Sequence, residues 1–206
     1  MKFHITTTDT KISKDRLKTL ISKLDDLGIK YQLNIGAITP KHFDGLQQVI
    51  KDIIKENINK EYIILCEDDA CLTNDFSIDN FIRLIKKAKD LEFDVLNTGA
   101  WYSTLENKTE CSKILSVDTF RGSQLIVLFK SSYEQILSFH LYNYFEDNLS
   151  HHAPKLKLGL TIPFLSIQEE NISLIREKSL NKYFKINEER LLDDKENNIY
   201  HLRRFI

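Results

Sequence analysis

Tyr62-Ile63-Ile64-Leu65-Cys66 empties directly into Glu67-Asp68-Asp69, so a short apolar run ends on three consecutive carboxylates. Four or five apolar residues without alternation suit a strand covered on both faces, as in a parallel α/β sheet. Ligands of open α/β sheets bind beyond the carboxyl ends of such strands. The acids therefore stand where chemistry is done. Crowding them is unfavourable: two unit charges about 4 Å apart repel by ~4 kcal/mol at an effective dielectric of ~20, and a divalent cation removes that repulsion. Metal binding is the natural use of the cluster, and a solvated acidic turn that ends a strand is the plainer alternative. Side chains alternate along a strand, so Glu67 and Asp69 share one side, with Asp68 on the other, if the strand continues through them.

Missing signals exclude much other chemistry. The six glycines, at 28, 36, 45, 99, 122 and 159, are too scattered for a dinucleotide fingerprint or a phosphate-binding loop. There is no Gly-x-Ser-x-Gly elbow and no His-Glu-x-x-His helix. Cys66, Cys71 and Cys111 match neither a zinc ribbon nor a CxxC redox pair, which suits free thiols in a reducing compartment. Lys+Arg (29) and Asp+Glu (30) nearly cancel, so no basic field is available to hold nucleic acid, and no nucleic-acid partner is expected.

Positioning the acids requires a sheet, and the pattern supplies one. The chain of 206 residues is long enough for a single core that buries roughly 70% of its unfolded surface. Met1 to Thr6 reads as a strand and Thr6-Thr7-Thr8-Asp9 as a polar loop. Leu17, Leu20, Ile21, Leu24 and Leu27 then recur at helical spacing, from a cap at Ser13 to a stop at Gly28. Ile29 to Ile35 alternates as a second strand, and Leu46, Val49, Ile50, Ile53 and Ile54 mark a second helix before the acid-bearing strand. Further on, Phe81 to Ala88 predicts a helix, Phe93–Leu96 and Leu125–Phe129 strands, and Tyr133, Ile136 and Leu137 another helix. Strands alternating with helices imply an α/β fold, a single domain with a mixed, mainly parallel sheet flanked by helices. That domain covers residues 1–180; the charged segment 181–206 reads as a C-terminal extension that packs late or frays. The N-terminus lacks the apolar stretch of a signal peptide and no segment approaches the about 18 apolar residues of a membrane span, so the expectation is a soluble, cytoplasmic protein without a transmembrane segment.

The order of these segments resembles glycosyltransferase family 25, the lipooligosaccharide-type glycosyltransferases, and related small enzymes of the A-type (GT-A) glycosyltransferase fold. The resemblance runs from about residue 3 to 176. It rests on Asp15-Arg16-Leu17, Leu27-Gly28-Ile29 and Leu65-Cys66-Glu67-Asp68-Asp69 with Asn74-Asp75-Phe76. It continues in Phe93-Asp94-Val95-Leu96-Asn97-Thr98-Gly99, Arg121-Gly122-Ser123-Gln124, Phe145-Glu146-Asp147 and Ile162-Pro163-Phe164-Leu165-Ser166-Ile167-Gln168. The chain departs from the family at His42-Phe43-Asp44-Gly45, where the family often carries a glycine-cysteine or serine-histidine segment.

The resemblance implies a GT-A-like fold and a metal-dependent transfer of a hexose, with inversion, from a nucleotide sugar (a UDP-hexose) to the hydroxyl of a glycan or glycolipid acceptor in surface-glycan synthesis. Mn²⁺ or Mg²⁺ would stabilise the diphosphate leaving group. By resemblance Asp69 is the metal ligand, Glu67 touches the ribose or the metal shell, and Asp68 either organises the turn or acts directly. Thr6, Thr7, Thr8 and Arg16 occupy the place the fold uses for the base and diphosphate, although a solvated helix face is the plainer reading of Arg16. Asp147 is the expected general base, with Glu169 and Asp118 behind it. His151-His152 could lend a late imidazole ligand or form a solvated pair, and Trp101-Tyr102 could stack on a sugar or lie in the core. Two other classes compete. A nucleotidyltransferase acting on sugar phosphates could use the same acids, but would bring a glycine- and lysine-rich loop that Thr6 to Thr10 lacks; a noncatalytic nucleotide-sugar-binding module would not need the acids intact.

Overall fold

The computed structural model describes residues 1–37, 42–107, 113–140, 144–152, 156–168 and 181–196. Its first half is the β-α-β-α-β order read from the sequence: β1 (Lys2–Thr8), α1 (Lys11–Asp26), β2 (Lys30–Gly36), α2 (His42–Glu56) and β3 (Tyr62–Glu67). A short β4 (Ala70–Leu72), α3 (Ile78–Asp90), β5 (Val95–Asn97), β6 (Tyr102–Asn107), β7 (Ile114–Arg121) and β8 (Leu125–Phe129) follow. The chain continues through α4 (Tyr133–Leu137), α5 (Phe145–Asp147) with a wider turn over Asn148–His152, β9 (Leu158–Thr161), β10 (Ser166–Gln168) and α6 (Asn181–Glu196).

Eight strands form one mixed sheet in the order β2-β1-β3-β8-β5-β9-β7-β6, and β4 pairs with β10 in a separate two-stranded ribbon. The sheet is parallel where the βαβ units build it, at β2-β1-β3, and again at β5-β9; β8, β7 and β6 bring in the antiparallel pairings. The lack of alternation in the central strands is explained by cover on both faces. Ile63 and Leu65 of β3 enter one core cluster with Ile126 and Leu128 of β8, while Ile64 and Cys66 enter the other with Leu125, Val127 and Phe129. The first cluster lies under α2, α4 and α5, the second under α1 and α3.

Local signals explain the helix ends, with one revision. Thr10, not Ser13, caps α1: its Oγ1 accepts from Ser13 N at 3.0 Å. At the other end Gly28 N donates to Asp25 O and Ile29 N to Leu24 O, the paired bonds of a glycine-ended helix. The segment from Asn181 is described up to Glu196. It forms α6, whose Phe184, Asn187 and Leu191 are buried against the first core cluster. Among the described residues no helix is long and apolar enough to cross a membrane.

Candidate functional site

β1 and β3 are parallel neighbours with Thr6 opposite Glu67, so the first polar loop and the acids leave the sheet at the same edge. β8 runs antiparallel to β3, which brings its leading residues Ser123 and Gln124 to that edge as well: Glu67 N donates to Gln124 O at 2.8 Å. The strand does not continue through the acids. β3 stops at Glu67 and the backbone turns through Asp68 and Asp69 into β4, with Asp68 N donating to Thr6 O at 3.1 Å. The acid-x-acid spacing is therefore a turn geometry and not strand alternation.

Each carboxylate is held by a different element. Ser123 Oγ donates to Glu67 Oε1 in a short hydrogen bond. Thr7 Oγ1 donates to Asp68 Oδ2 at 2.7 Å, and Gln168 Nε2 of β10 donates to Asp69 Oδ2 at 3.0 Å. Arg16 does not lie on a solvated face: it is 4% exposed, and its Nη1 stands 3.7 Å from Asp69 Oδ2 and 4.0 Å from Asp68 Oδ1. It reaches them because Ser13, Arg16, Leu20 and Leu24 form one buried stripe of α1 at helical spacing.

One guanidinium does not offset three acids. Burial and then the charges of Asp69 and Glu146 push the Glu67 carboxyl well up, against the Ser123 hydrogen bond. Burial raises Asp68, opposed by its hydrogen bond from Thr7. Burial and the Asp68 charge push Asp69 up to about 6, with Arg16 and Gln168 acting in the opposite sense. Asp69 Oδ1 is buried without a hydrogen-bond partner. An orphaned acceptor in a group of mutually repelling carboxylates fits a divalent cation. Among the described residues no three His, Cys, Asp or Glu side chains converge to hold a metal alone. The donor set thus suits an ion carried on one or two carboxylates and completed by phosphate oxygens and water.

The threonines bond inward. Thr6 Oγ1 donates to Cys66 O at 3.4 Å, Thr7 holds Asp68, and Thr8 Oγ1 shares a 2.8 Å hydrogen bond with Ser13 Oγ. Only Thr8 of the three is appreciably open to solvent. The two acids of α5 part company. Asp147 forms an ion pair with Arg121, whereas Glu146 Oε1 accepts from Ser123 Oγ at 3.3 Å and from Gly122 N at 3.4 Å. Ser123 thereby bridges Glu146 to Glu67. Phe145, buried in the first core cluster, anchors α5 beside this bridge. Asp118 is exposed on β7, four strand positions from β3, and Glu169 lies outside the described residues, as do the side chains of His151 and His152. Trp101 and Tyr102 are half-buried, with ring centroids 6.4 Å apart. Cys66 is a buried free cysteine, Cys71 is exposed, and Cys111 lies outside the described residues.

Two glycines make this edge possible. Gly122 has φ +102, and a Cβ there would meet Gln124, Phe184 and Trp101 at 3.0–3.2 Å; Asn97 Nδ2 holds its carbonyl at 2.7 Å. At Gly99 a Cβ would stand 1.8 Å from Ser166 O, so only glycine lets the strand carrying Gln168 approach β5. Ser123, Glu146 and Gln168 lie in segments that carry the family resemblance, where the sequence alone assigns them no individual chemical role. The signal for Ser123 is its place in Gly122-Ser123-Gln124, a turn that leads straight into the apolar run of β8.

No protein-family model matches the chain, and no curated protein matches it. Among solved structures, A197 from STIV is similar with a TM-score of 0.53 at 14% identity, over 77% of this chain and 80% of that one. The apo form of UDP-glucose pyrophosphorylase is similar with a TM-score of 0.51 at 8% identity, over 93% and 81%. A glycosyltransferase involved in the glycosylation of the major capsid of PBCV-1 gives 0.49 at 9% identity, over 78% and 81%. The first two likenesses show the fold, a mixed α/β sheet flanked by helices. The resemblance to family 25 narrows accordingly to that shared architecture.

Proposed function

We propose that the protein is a metal-dependent glycosyltransferase that moves a hexose from a UDP-sugar to a hydroxyl of a glycan or glycolipid acceptor, with inversion, in surface-glycan synthesis. The observation that carries this reading is the turn Glu67-Asp68-Asp69 beyond the carboxyl end of β3, beside the first loop, with an orphaned Asp69 oxygen and a buried arginine against it. Asp69, with Glu67, would hold Mg²⁺ or Mn²⁺. When bound, the ion supplies Lewis-acid stabilisation of the diphosphate leaving group. Thr7 and Arg16 keep the turn in place, and Thr8 and the first-loop backbone face the nucleotide.

In the displacement the acceptor oxygen bonds to the sugar's anomeric carbon, the bond from that carbon to the diphosphate breaks, and the acceptor proton passes to a carboxylate. The contacts of α5 favour Glu146 over Asp147 for this proton. Asp147 is engaged by Arg121, whereas Glu146 is tied through Ser123 to the acid turn. The test is a panel of nucleotide sugars with and without Mn²⁺, reading transfer and the anomeric configuration of the product. Metal-independent transfer, or retention, defeats the reading. A second reading, nucleotidyl transfer to a sugar phosphate, draws on the fold likeness to UDP-glucose pyrophosphorylase over 93% of this chain. Pyrophosphate release from UTP and hexose 1-phosphate, without transfer from any nucleotide sugar, would establish it instead.

A further inference from the structure

β2 is the outermost strand of the large sheet among the described residues, and it carries apolar side chains into solvent: Leu33 is 43% exposed and Ile35 65%. Both belong to the face that also bears Tyr31, since residues two apart share a side of a strand. The opposite face is polar and internally bonded. Lys2 Nζ donates to Gln32 Oε1 at 2.5 Å, Gln32 Nε2 to Asn34 Oδ1 at 3.4 Å, and Asn34 Nδ2 to Ile5 O at 3.3 Å. A strand paired on one side directs alternate N–H and C=O groups outward on the other, and native edges are normally blunted by charge, proline or a bulge. β2 has none of these between Tyr31 and Gly36.

We propose that β2 pairs antiparallel with β2 of a second copy of this chain, about a two-fold axis through Leu33, joining the two sheets into one. The register commits the occupant. With Leu33 on the axis, Tyr31 faces Ile35 of the partner subunit, Gln32 faces Asn34 of the partner subunit, and Lys30 faces Gly36 of the partner subunit. Apolar meets apolar on one face, amide meets amide on the other, and the strand's one charged residue meets a glycine. The two Lys30 side chains end up six residues of strand apart, about 20 Å, so no like charges oppose each other. A slip by one residue puts Leu33 opposite an amide and loses both matches. The two-fold closes on itself, whereas pairing β2 with the opposite edge of the sheet would propagate into a filament.

Sedimentation velocity on the full chain from low to high micromolar concentration tests the pairing. The parent should show a reversible dimer, and Leu33→Lys, which places two ammonium groups on the axis, should weaken it at least tenfold without lowering the melting temperature. In a Cys71→Ser, Cys111→Ser background, Leu33→Cys should then crosslink to its own copy under mild oxidation, because facing Cα atoms of an antiparallel pair lie about 4.5–5.5 Å apart, within disulfide reach. Ile35→Cys should not crosslink, its counterpart being four residues along the strand, about 13 Å away. A parent that stays monomeric throughout overturns the proposal and leaves the edge to a strand of another protein. So does a dimer that survives Leu33→Lys, or Ile35→Cys crosslinking as readily as Leu33→Cys. If Leu33→Lys lowers the melting temperature, the two cysteine variants decide.

Discussion

Asp69→Asn should stabilise the ligand-free protein at neutral pH while removing its response to donor and metal. Asp69 titrates near 6 in the fold against an ordinary 3.8, the balance of burial and the Asp68 charge over Arg16 and Gln168. A carboxyl whose folded value is raised helps stability fully below the unfolded value, and that help is lost as pH rises through the folded one. At 1.36 kcal/mol per pH unit the ionised Asp69 therefore costs about 3 kcal/mol above pH 6 and nothing below about pH 4. Asparagine keeps the shape and an oxygen that can accept from Gln168 Nε2, and it removes the charge. For a chain of this size about 3 kcal/mol corresponds to roughly 6–12 °C in melting temperature. The assay is differential: thermal melts of parent and Asp69→Asn from pH 4 to pH 8, the mutant gaining only across the window from about 4 to 6 and holding its advantage above it. Adding UDP and Mn²⁺ at a hundredfold excess over the dissociation constant should then stabilise the parent by about 2.7 kcal/mol and the mutant hardly at all. Two parallel melting curves with no pH-dependent gap would refute the electrostatics. A full Mn²⁺-dependent shift in the mutant would refute Asp69 as ligand.

The other expectations bear on the elements around the turn. Glu146→Gln should lower transfer by the 10²–10⁴-fold typical of a lost general base with donor affinity retained. Asp147→Asn should fall less, and the reverse order of the two variants would return the base to Asp147. Arg16→Ala should cost about 3–5 kcal/mol in urea denaturation at pH 8, because it leaves buried acids without their cation; the cost should shrink at pH 5 as the raised carboxyls take up protons. Phe184→Ala should destabilise by about 3–5 kcal/mol if α6 is part of the domain core, and a change under 1 kcal/mol would mean that the helix is dispensable.

What the sequence disclosed follows the range of its signals. β1 to β3 were legible because each βαβ crossover is local, and because β2 alternates while β3 is an unbroken apolar run. The start of α1 was misplaced because Ser13 looks like a cap and is instead a buried member of the helix stripe. Carrying the spacing of Leu24 and Leu20 back to Arg16 and Ser13 would have put the arginine inside the protein, facing the sheet. The charged α6 hid its inward face because Asn187 stands where an apolar residue is expected; there its Nδ2 donates to Ala100 O at 2.8 Å. Ser123 and Glu146 were out of reach for a different reason. Ser123 meets Glu67, and links it to Glu146, only because β8 runs antiparallel to β3, and no residue of Leu125–Phe129 encodes strand direction.

The acid turn runs against the interests of folding, and its surroundings explain why it persists. β1 supplies Thr7, β10 supplies Gln168, the turn before β8 supplies Ser123 and α1 supplies Arg16, so four separate elements pin three carboxylates that repel one another. None of these contacts satisfies Asp69 Oδ1. A framework with only a structural purpose would gain by replacing one acid with an amide, which keeps the hydrogen bonds and discards the repulsion. Such unrelieved charge beyond the carboxyl end of β3 is what a cation arriving with phosphates would relieve, and under the proposed function the free energy released on neutralisation would appear as donor affinity. The same logic fixes the sign of the Asp69→Asn experiment: stability and binding must move in opposite directions, because both are read from one uncompensated charge.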